Sequence, residues 1–466
     1  MRIYLLADIG STYTKVTAVD VDSKRIIGFD KSFTTIQTDV RECYNEAVKG
    51  VLSQIGSVEI ASRISASSAA GGLKMVSSGL VPDLTSKASK LAAASAGAKV
   101  VKTYAYELTQ FEVEEILDIK PDIMLLSGGI DGGNAKVLMK NAQTIADIPS
   151  NFAVIIAGNR SCAHDAQKLL VASGKNAIIC ENVMPSFGKL NIEPAKNAIR
   201  DLFIENIIFA KGLDKLAEMM DDEIIPTPLA VYEALHLLSK GTKTQGGLGE
   251  LMAYDLGGAT TDVYSMADGA PKRANAYISG IAEPFGKRTV EGDIGMRYSQ
   301  SALHGLIDEE GEESFLAEYG IDKNDLESWL SLCKESPAIL PSGEFDKYQK
   351  VDSALATEAI RLSAARHVGE NQQVFTPGGE MFVQTGKDLT QVSYIIGSGG
   401  AIINAPNPAA IMQKAIYHPK DMYLLKPLRA KILIDQDNAA AAMGLLSRRH
   451  PDVALAIMKD RFVEVV

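Results

Sequence analysis

The chain has 466 residues, 46% of them apolar and 23% charged, and a net charge of −11. That length exceeds what one hydrophobic core fills, so two or three domains of ordinary soluble, globular composition are expected. The acidic balance argues against a nucleic-acid partner and no apolar run approaches the ~18 residues of a membrane span, while the scattered cysteines, without a CxxC pair, indicate neither zinc nor a disulfide framework.

The start, MRIYLLADIG, meets charge and glycine too early for a signal peptide, and a reducing cytoplasm is the expected location. RIYLLADIGS predicts an apolar strand, TKVTAVDVD a strand of period two, and SKRIIGFDKSF a return strand after a polar turn. A helix is predicted over 41–55, then a strand, ASRISASSAAGG, ending in small residues, and an alanine-rich helix over 84–99. FEVEEILDIKPDIMLLSGGIDGGN reads as helix, proline-marked turn, buried strand and glycine loop. NFAVIIAGNRSCAHDAQKLL repeats strand, turn and helix, and NAIICENVMP adds a strand. This alternation predicts an α/β architecture. A helix over 229–239 leads to KGTKTQGGLGE, the best boundary by composition, which divides the chain into 1–245 and 246–466. The first part carries an extra α/β stretch around 152–186. In the second, acidic helical sequence over 307–335, with the single tryptophan Trp329, belongs to an insertion near 301–388 whose charges face solvent. VSYIIGSGGAIINAP then predicts a buried strand, a glycine turn and a helix start, and KILIDQDNAAAAMGLLSRR a short strand and a small-residue helix.

Two stretches share one grammar. LLADIGSTYTKVTAV around Asp8 and MAYDLGGATTDVYSM around Asp255 each run apolar residues, Asp, an apolar residue, Gly, a small residue, hydroxyls and a return strand. Both fit a hairpin whose turn offers backbone N–H groups and hydroxyls, with an aspartate at its mouth. Glycine lets a phosphate approach the backbone where a Cβ would block it. Gly10, Ser11, Thr12, Gly257, Gly258, Thr260 and Thr261 make up the two turns, and Lys15 supplies a compact positive charge. An aspartate facing a phosphate is repelled unless a cation or an attacking water lies between, so Asp8 and Asp255 imply Mg2+ held through waters, or nucleophile positioning. A structural hairpin accounts for either copy alone. Two copies, each heading one half of the chain, favour a phosphate clamp. The third element is IGSGGAI over 396–402, whose Gly397, Gly399 and Gly400 let a flat purine or sugar lie against the backbone, or simply tighten a strand-to-helix turn.

The order DxGSTxxK, DLGGATTD, GSGG resembles the superfamily of actin, heat-shock ATPases and sugar kinases, with its phosphate-1, phosphate-2 and adenosine motifs. The resemblance implies two RNase-H-like lobes with inserted subdomains, closing on ATP. Asp8 and Asp255 would hold Mg2+ and its waters, and one of them would orient the attacking water. Thr12, Lys15, Thr260 and Thr261 would touch phosphates, and Gly397, Gly399 and Gly400 would border the adenosine. DQDNAAAAMG over 435–444 resembles the second connect motif, while IMLLSGGIDGGN and the stretch after PTPLAVYEAL are the two candidates for the first.

Over nearly its full length the chain is similar to the MutL (also GlmL) family associated with adenosylcobalamin-dependent glutamate mutase. The likeness rests on ADIGSTYTKVTAVD, ASSAAGGLKMVSSGLVPDLT, PDIMLLSGGIDGGN, IIAGNR, YDLGGATTDVYS, RTVEGDIGMRYS and YIIGSGGAIIN together. It implies an ATP-dependent reactivating chaperone, using ATP and Mg2+, that releases damaged cobalamin from an inactivated mutase and has mutase subunits as partners. Aminomutases acting on ornithine or lysine are alternative clients, and a small-molecule kinase on the same fold is the other reading. There is no DxHxxG pattern for replacing the lower cobalt ligand, and His164 and His367 read as ordinary packed or surface residues. RTVEGDIGMR over 288–297 reads either as a partner-binding or nucleotide-sensing loop, through Arg288, Glu291, Asp293 and Arg297, or as an ion-paired helix start. The glycines of SGGIDGG over 127–133 read as a strand-end turn.

Overall fold

A computed structural model describes residues 2–10, 12–35, 39–56, 58–68, 74–96, 98–210, 213–377 and 379–465. The chain forms two compact units, Met1–Ala234 with Ala440–Ile457, and Leu235–Ala439 with Met458–Val466.

The first unit contains two sheets. Its strands in chain order are β1 Ile3–Ile9, β2 Tyr13–Asp20, β3 Arg25–Phe33, β4 Ile60–Ser67, β5 Lys74–Gly79, β6 Lys99–Ala105, β7 Ile123–Leu126, β8 Ala153–Ile156, β9 Ala177–Ile179 and β10 Ile225–Pro226. The first sheet has the order β3-β2-β1-β4-β10, antiparallel through the β1–β2–β3 meander and parallel from β1 to β4 to β10. Central β1 is apolar almost throughout, as a strand covered on both faces should be. The helix Val40–Ile55 starts at Asp39, whose side chain accepts from the Arg41 N–H, and lays Val40, Cys43, Tyr44, Ala47 and Val51 against β2 and β3.

Between β4 and β10 the chain builds a separate, all-parallel sheet of order β6-β5-β7-β8-β9. This is the order of flavodoxin-type doubly wound folds. The crossover from β5 to β6 runs one way along the sheet and all later ones run the other way, so right-handed connections put helices on both faces. Helices Gln110–Ile119, Lys136–Ala146 and Arg160–Ala172 share one apolar cluster with β5 to β8, and helices Lys87–Ser95 and Glu193–Ala210 pack on each other. The added sheet thus begins at Lys74, well before the stretch around 152–186 marked by composition.

The second unit contains β11 Leu251–Leu256, β12 Thr261–Met266, β13 Ala276–Ile278, β14 Gly286–Glu291, β15 Glu370–Thr376, β16 Gly379–Thr385, β17 Tyr394–Ser398, β18 Lys431–Asp435 and β19 Phe462–Val465. Its main sheet has the order β14-β12-β11-β17-β18-β19. An antiparallel meander β11–β12–β14 is followed by parallel β11, β17 and β18, the same topology as the first sheet of the first unit. The chain is therefore an α/β protein with two sheets of RNase-H-like, actin-like ATPase order. The acidic segment forms helices Gln300–Tyr319, Lys323–Glu335 and Gln349–His367. Trp329 is fully buried and its Nε1 donates to Asp352 Oδ1 at 3.0 Å, and Asp352 and Glu358 of the third helix are buried with it. A small sheet, β13-β16-β15, completes the unit.

Candidate functional site

Each unit carries one of the two matching hairpins. In the first, Asp8 pairs with Lys15 across the β1–β2 ladder, so carboxylate and ammonium share a face of the sheet. No ion pair holds Lys15 among the described residues, and it is half-buried. The Gly10 N–H donates to Tyr13 O at 3.0 Å, and a Cβ on Gly10 would sit 2.6 Å from that oxygen, so only glycine closes this turn. Thr34 braces the turn from β3's end: its N–H donates to Thr12 O and its hydroxyl to Gly10 O. Thr12 is half-buried at the turn, and Ser11 lies outside the described residues. The Asp8 carboxylate accepts a hydrogen bond of 2.6 Å from the hydroxyl of Thr227, the first residue of the helix Thr227–Lys240. That residue escaped the sequence reading. It follows β10 as the start of a helix, and extending the internal repeat to the fifth strand would have marked it.

In the second hairpin the partner of Asp255 across the ladder is Asp262, a carboxylate where the first hairpin has Lys15. Two facing carboxylates repel. Arg288 resolves this from beneath, with Nε 2.7 Å from Asp262 Oδ1. Burial works against the Arg288 charge, yet Asp262 and Tyr264 beside it keep its pKa above the ordinary value. Burial also pushes the Tyr264 hydroxyl well above its usual range. Gly257 N–H donates to Thr260 O at 3.0 Å, repeating the Gly10 turn. Gly257 and Gly258 accept from the N–H groups of Met296, Arg297 and Tyr298. Thr260 is half-buried at the tip, whereas Thr261 is fully buried and its hydroxyl donates to Ile294 O at 2.9 Å. The structure therefore leaves the Thr260 hydroxyl at the tip of the turn and gives the Thr261 hydroxyl to the packing below.

The segment 288–297 is ion-paired throughout. Arg288 holds Asp262, Arg297 holds the buried Asp352 at 2.8 Å, and Arg366 reaches both Glu291 and Asp293. Its backbone is what carries the Gly257–Gly258 turn.

At the end of β17 the three glycines separate. Gly397 is packed, since a Cβ there would press on Met412, Ile402 and Ile434. Gly399 has φ +97° and would bring a Cβ within 2.2 Å of Leu256 O, so it serves the close approach of this turn to β11. Gly400 alone is exposed and free to border a ligand. The turn lies directly beside the second hairpin, because Asp255 pairs with Ser398.

Among the described residues no group of three or more His, Cys, Asp or Glu stands together as a metal cage. The half-buried carboxylate that ends the first strand of each hairpin, Asp8 or Asp255, suits an Mg2+ ion that keeps most of its waters and takes other ligands from phosphates. No helix among the described residues is long and apolar enough to cross a membrane.

Among solved structures, the chain is similar to acetone carboxylase in its nucleotide-free form, with a TM-score of 0.43 and 11% identity over 96% of this chain and 70% of that one. It is also similar to the activator of 2-hydroxyisocaproyl-CoA dehydratase from Clostridium difficile with bound ADPNP, with a TM-score of 0.32 and 8% identity over 100% and 99% of the two chains. A curated relative, Protein MutL of Clostridium tetanomorphum, is 39% identical over 467 positions that span both chains completely. The family model of the MutL protein matches residues 4–462, and the chain belongs to that family.

Proposed function

We propose that this chain is an ATP-dependent reactivating chaperone for an adenosylcobalamin-dependent mutase, with glutamate mutase as the first client to test. The observation that carries the reading is the repeated hairpin, an aspartate ending the first strand of a sheet and a backbone turn closed by glycine, in both units of a MutL-family chain. Asp8, fixed by Thr227, and Asp255 would hold the waters of Mg2+, and one of them would orient the water that attacks the terminal phosphate. Lys15, Thr12, Thr260 and the turn N–H groups would bind phosphate oxygens, and Gly400 would border the adenosine. Bound Mg-ATP supplies the cleavable phosphoanhydride. The two hairpins are unequal: one presents a cation and the other a carboxylate already neutralised by Arg288, which suits Lys15 to phosphate charge and Asp255 to a metal-bound water. Turnover drives client opening only if one nucleotide state binds one mutase conformation more tightly.

The test is recovery of activity by a turnover-inactivated glutamate mutase given this protein, Mg-ATP and fresh coenzyme. Recovery is expected with the intact chain and ATP, and neither recovery nor ATP hydrolysis with Asp255→Ala. Normal hydrolysis by that variant would refute the site. Hydrolysis by the intact chain without recovery would refute the client, and strong stimulation by a small phosphate acceptor would favour the kinase reading.

A further inference from the structure

The backbone between β14 and the helix Gln300–Tyr319 does more than connect them. The Met296 N–H donates to Gly257 O at 3.1 Å, the N–H groups of Arg297 and Tyr298 both donate to Gly258 O at 2.8 Å, and Ser299 Oγ donates to Ala259 O at 2.6 Å. Three consecutive carbonyls of the second turn are thus held by four consecutive residues. In a trans peptide the C=O and N–H point opposite ways, and no peptide of the described residues is cis. The N–H groups of Gly258, Ala259 and Thr260 are therefore turned away from this segment. A Cβ on Gly295 would lie 2.5 Å from the Ala259 carbonyl carbon, so glycine is what lets the segment come this close.

One side chain fastens the segment to the helices behind it. The Arg297 side chain is only 10% exposed, and its guanidinium donates to Asp352 Oδ1 at 2.8 Å, Ile339 O at 3.0 Å and Met296 O at 2.6 Å. Asp352 Oδ1 also accepts from Trp329 Nε1, and the Trp329 ring stacks on Tyr348 with centroids 5.2 Å apart. The guanidinium stands 5.4 Å from the centre of the Trp329 ring. An ion pair so far from water is weak ground for stability, because well-packed apolar residues often do as well in its place. What a planar fork meeting three acceptors does supply is a fixed direction.

We propose that Arg297 is the positioning residue of the second phosphate turn, and that the Arg297–Asp352–Trp329 group couples this turn to the helices Lys323–Glu335 and Gln349–His367. The inference rests on the ATPase reading of the second hairpin. A phosphate drawn onto the N–H groups of the turn pulls on the peptides whose carbonyls the segment holds, and Arg297 carries that displacement to Asp352. Trp329 shares the same carboxylate oxygen and is the single tryptophan of the chain, so its emission reads the state of the turn.

The test excites Trp329 in the full chain, at a wavelength where tyrosine does not absorb, and follows its emission during titration with Mg-ATP beside steady-state phosphate release. A saturable change in emission is expected, over the ATP concentrations that saturate hydrolysis. In the double variant Arg297→Met with Asp352→Asn, the asparagine keeps an acceptor for Trp329 and no lone charge stays inside, so the chain should fold. Its emission should no longer respond, and kcat should fall by up to about a hundredfold, the cost of misplacing a group by about 1 Å. KM should change less, because Lys15 and Thr12 are untouched. Arg297→Lys, which keeps the charge opposite Asp352 but not the fork, should recover part of the rate. Hydrolysis by the intact chain with unchanged emission, or full kcat in the double variant, overturns the inference and leaves the ATPase reading standing. No hydrolysis by the intact chain overturns both. Should the double variant fail to fold, the titration of the intact chain decides alone.

Discussion

Thr227 changes how Asp8 is understood. A carboxylate at a strand end rotates freely unless something holds it, and the 2.6 Å bond from Thr227 fixes one oxygen and leaves the other for a water or metal. A hydrogen bond to a charged group contributes about 1.5–3 kcal/mol. Thr227→Ala should therefore lower steady-state phosphate release about tenfold or more, whereas Thr227→Ser should keep most of the activity. An unaltered rate in Thr227→Ala would remove Asp8 from the proposed mechanism. At this scale the sequence was informative about Asp8, Gly10 and Lys15, whose relation is local to one hairpin. It could not separate Thr260 from Thr261, because adjacent threonines differ only in the face of the strand they meet. Thr261 and Val263 share the buried one.

The elements behind the second hairpin hold a buried group of bases. His367, ending the helix Gln349–His367, sets Nδ1 2.8 Å from Thr289 Oγ1 and Nε2 2.9 Å from Ser265 Oγ, which joins that helix to β12 and β14. Lys287 donates to His367 O and pairs with Glu283, and Lys387 donates to Ala267 O and Phe285 O. Burial lowers the His367 pKa well below 6.5 and takes Lys387 down from 10.5 to about 7, with Lys287 adding to both shifts. The unfolded chain then binds more protons than the folded one, below about 6.5 through His367 and between about 7 and 10.5 through Lys387. Stability should rise with pH across both windows. A melting midpoint that climbs from pH 5 to pH 9, and that loses the upper part of the climb in Lys387→Met, is the expected result; a flat profile in the intact chain would contradict it. The sequence reading took His367 for an ordinary surface or packed residue, and it is buried. Its partners come from β12 and β14, far away in the chain, so nothing local announced them. The same holds for 288–297, whose ion pairs reach to Asp352 and Arg366.

For the whole molecule, the duplicated meander was legible because each copy is continuous in sequence and headed by a glycine turn. The order of the inserted sheet was not, since alternating strands and helices are compatible with many strand orders and only pairing decides among them. The second unit's satellite sheet was missed for a related reason: β15, ENQQVFT, has no clear alternation to separate it from loop. The placement of Ala440–Ile457 in the first unit has a consequence in time. The helix Ala440–Ser447 is buried from Ala440 to Leu446 and lies against β1 and β4, which are made more than 370 residues before it. At synthesis rates of about 5–20 residues per second, those strands wait on the order of tens of seconds for their cover. A chain ending at Ala439 should accordingly be recovered as aggregate, and supplying 440–466 as a separate peptide should improve its solubility; a soluble, ATP-hydrolysing truncation would refute this. A sheet completed early in the chain is thus among the last parts to finish folding, with one apolar face uncovered until Ala440–Ser447 has been made.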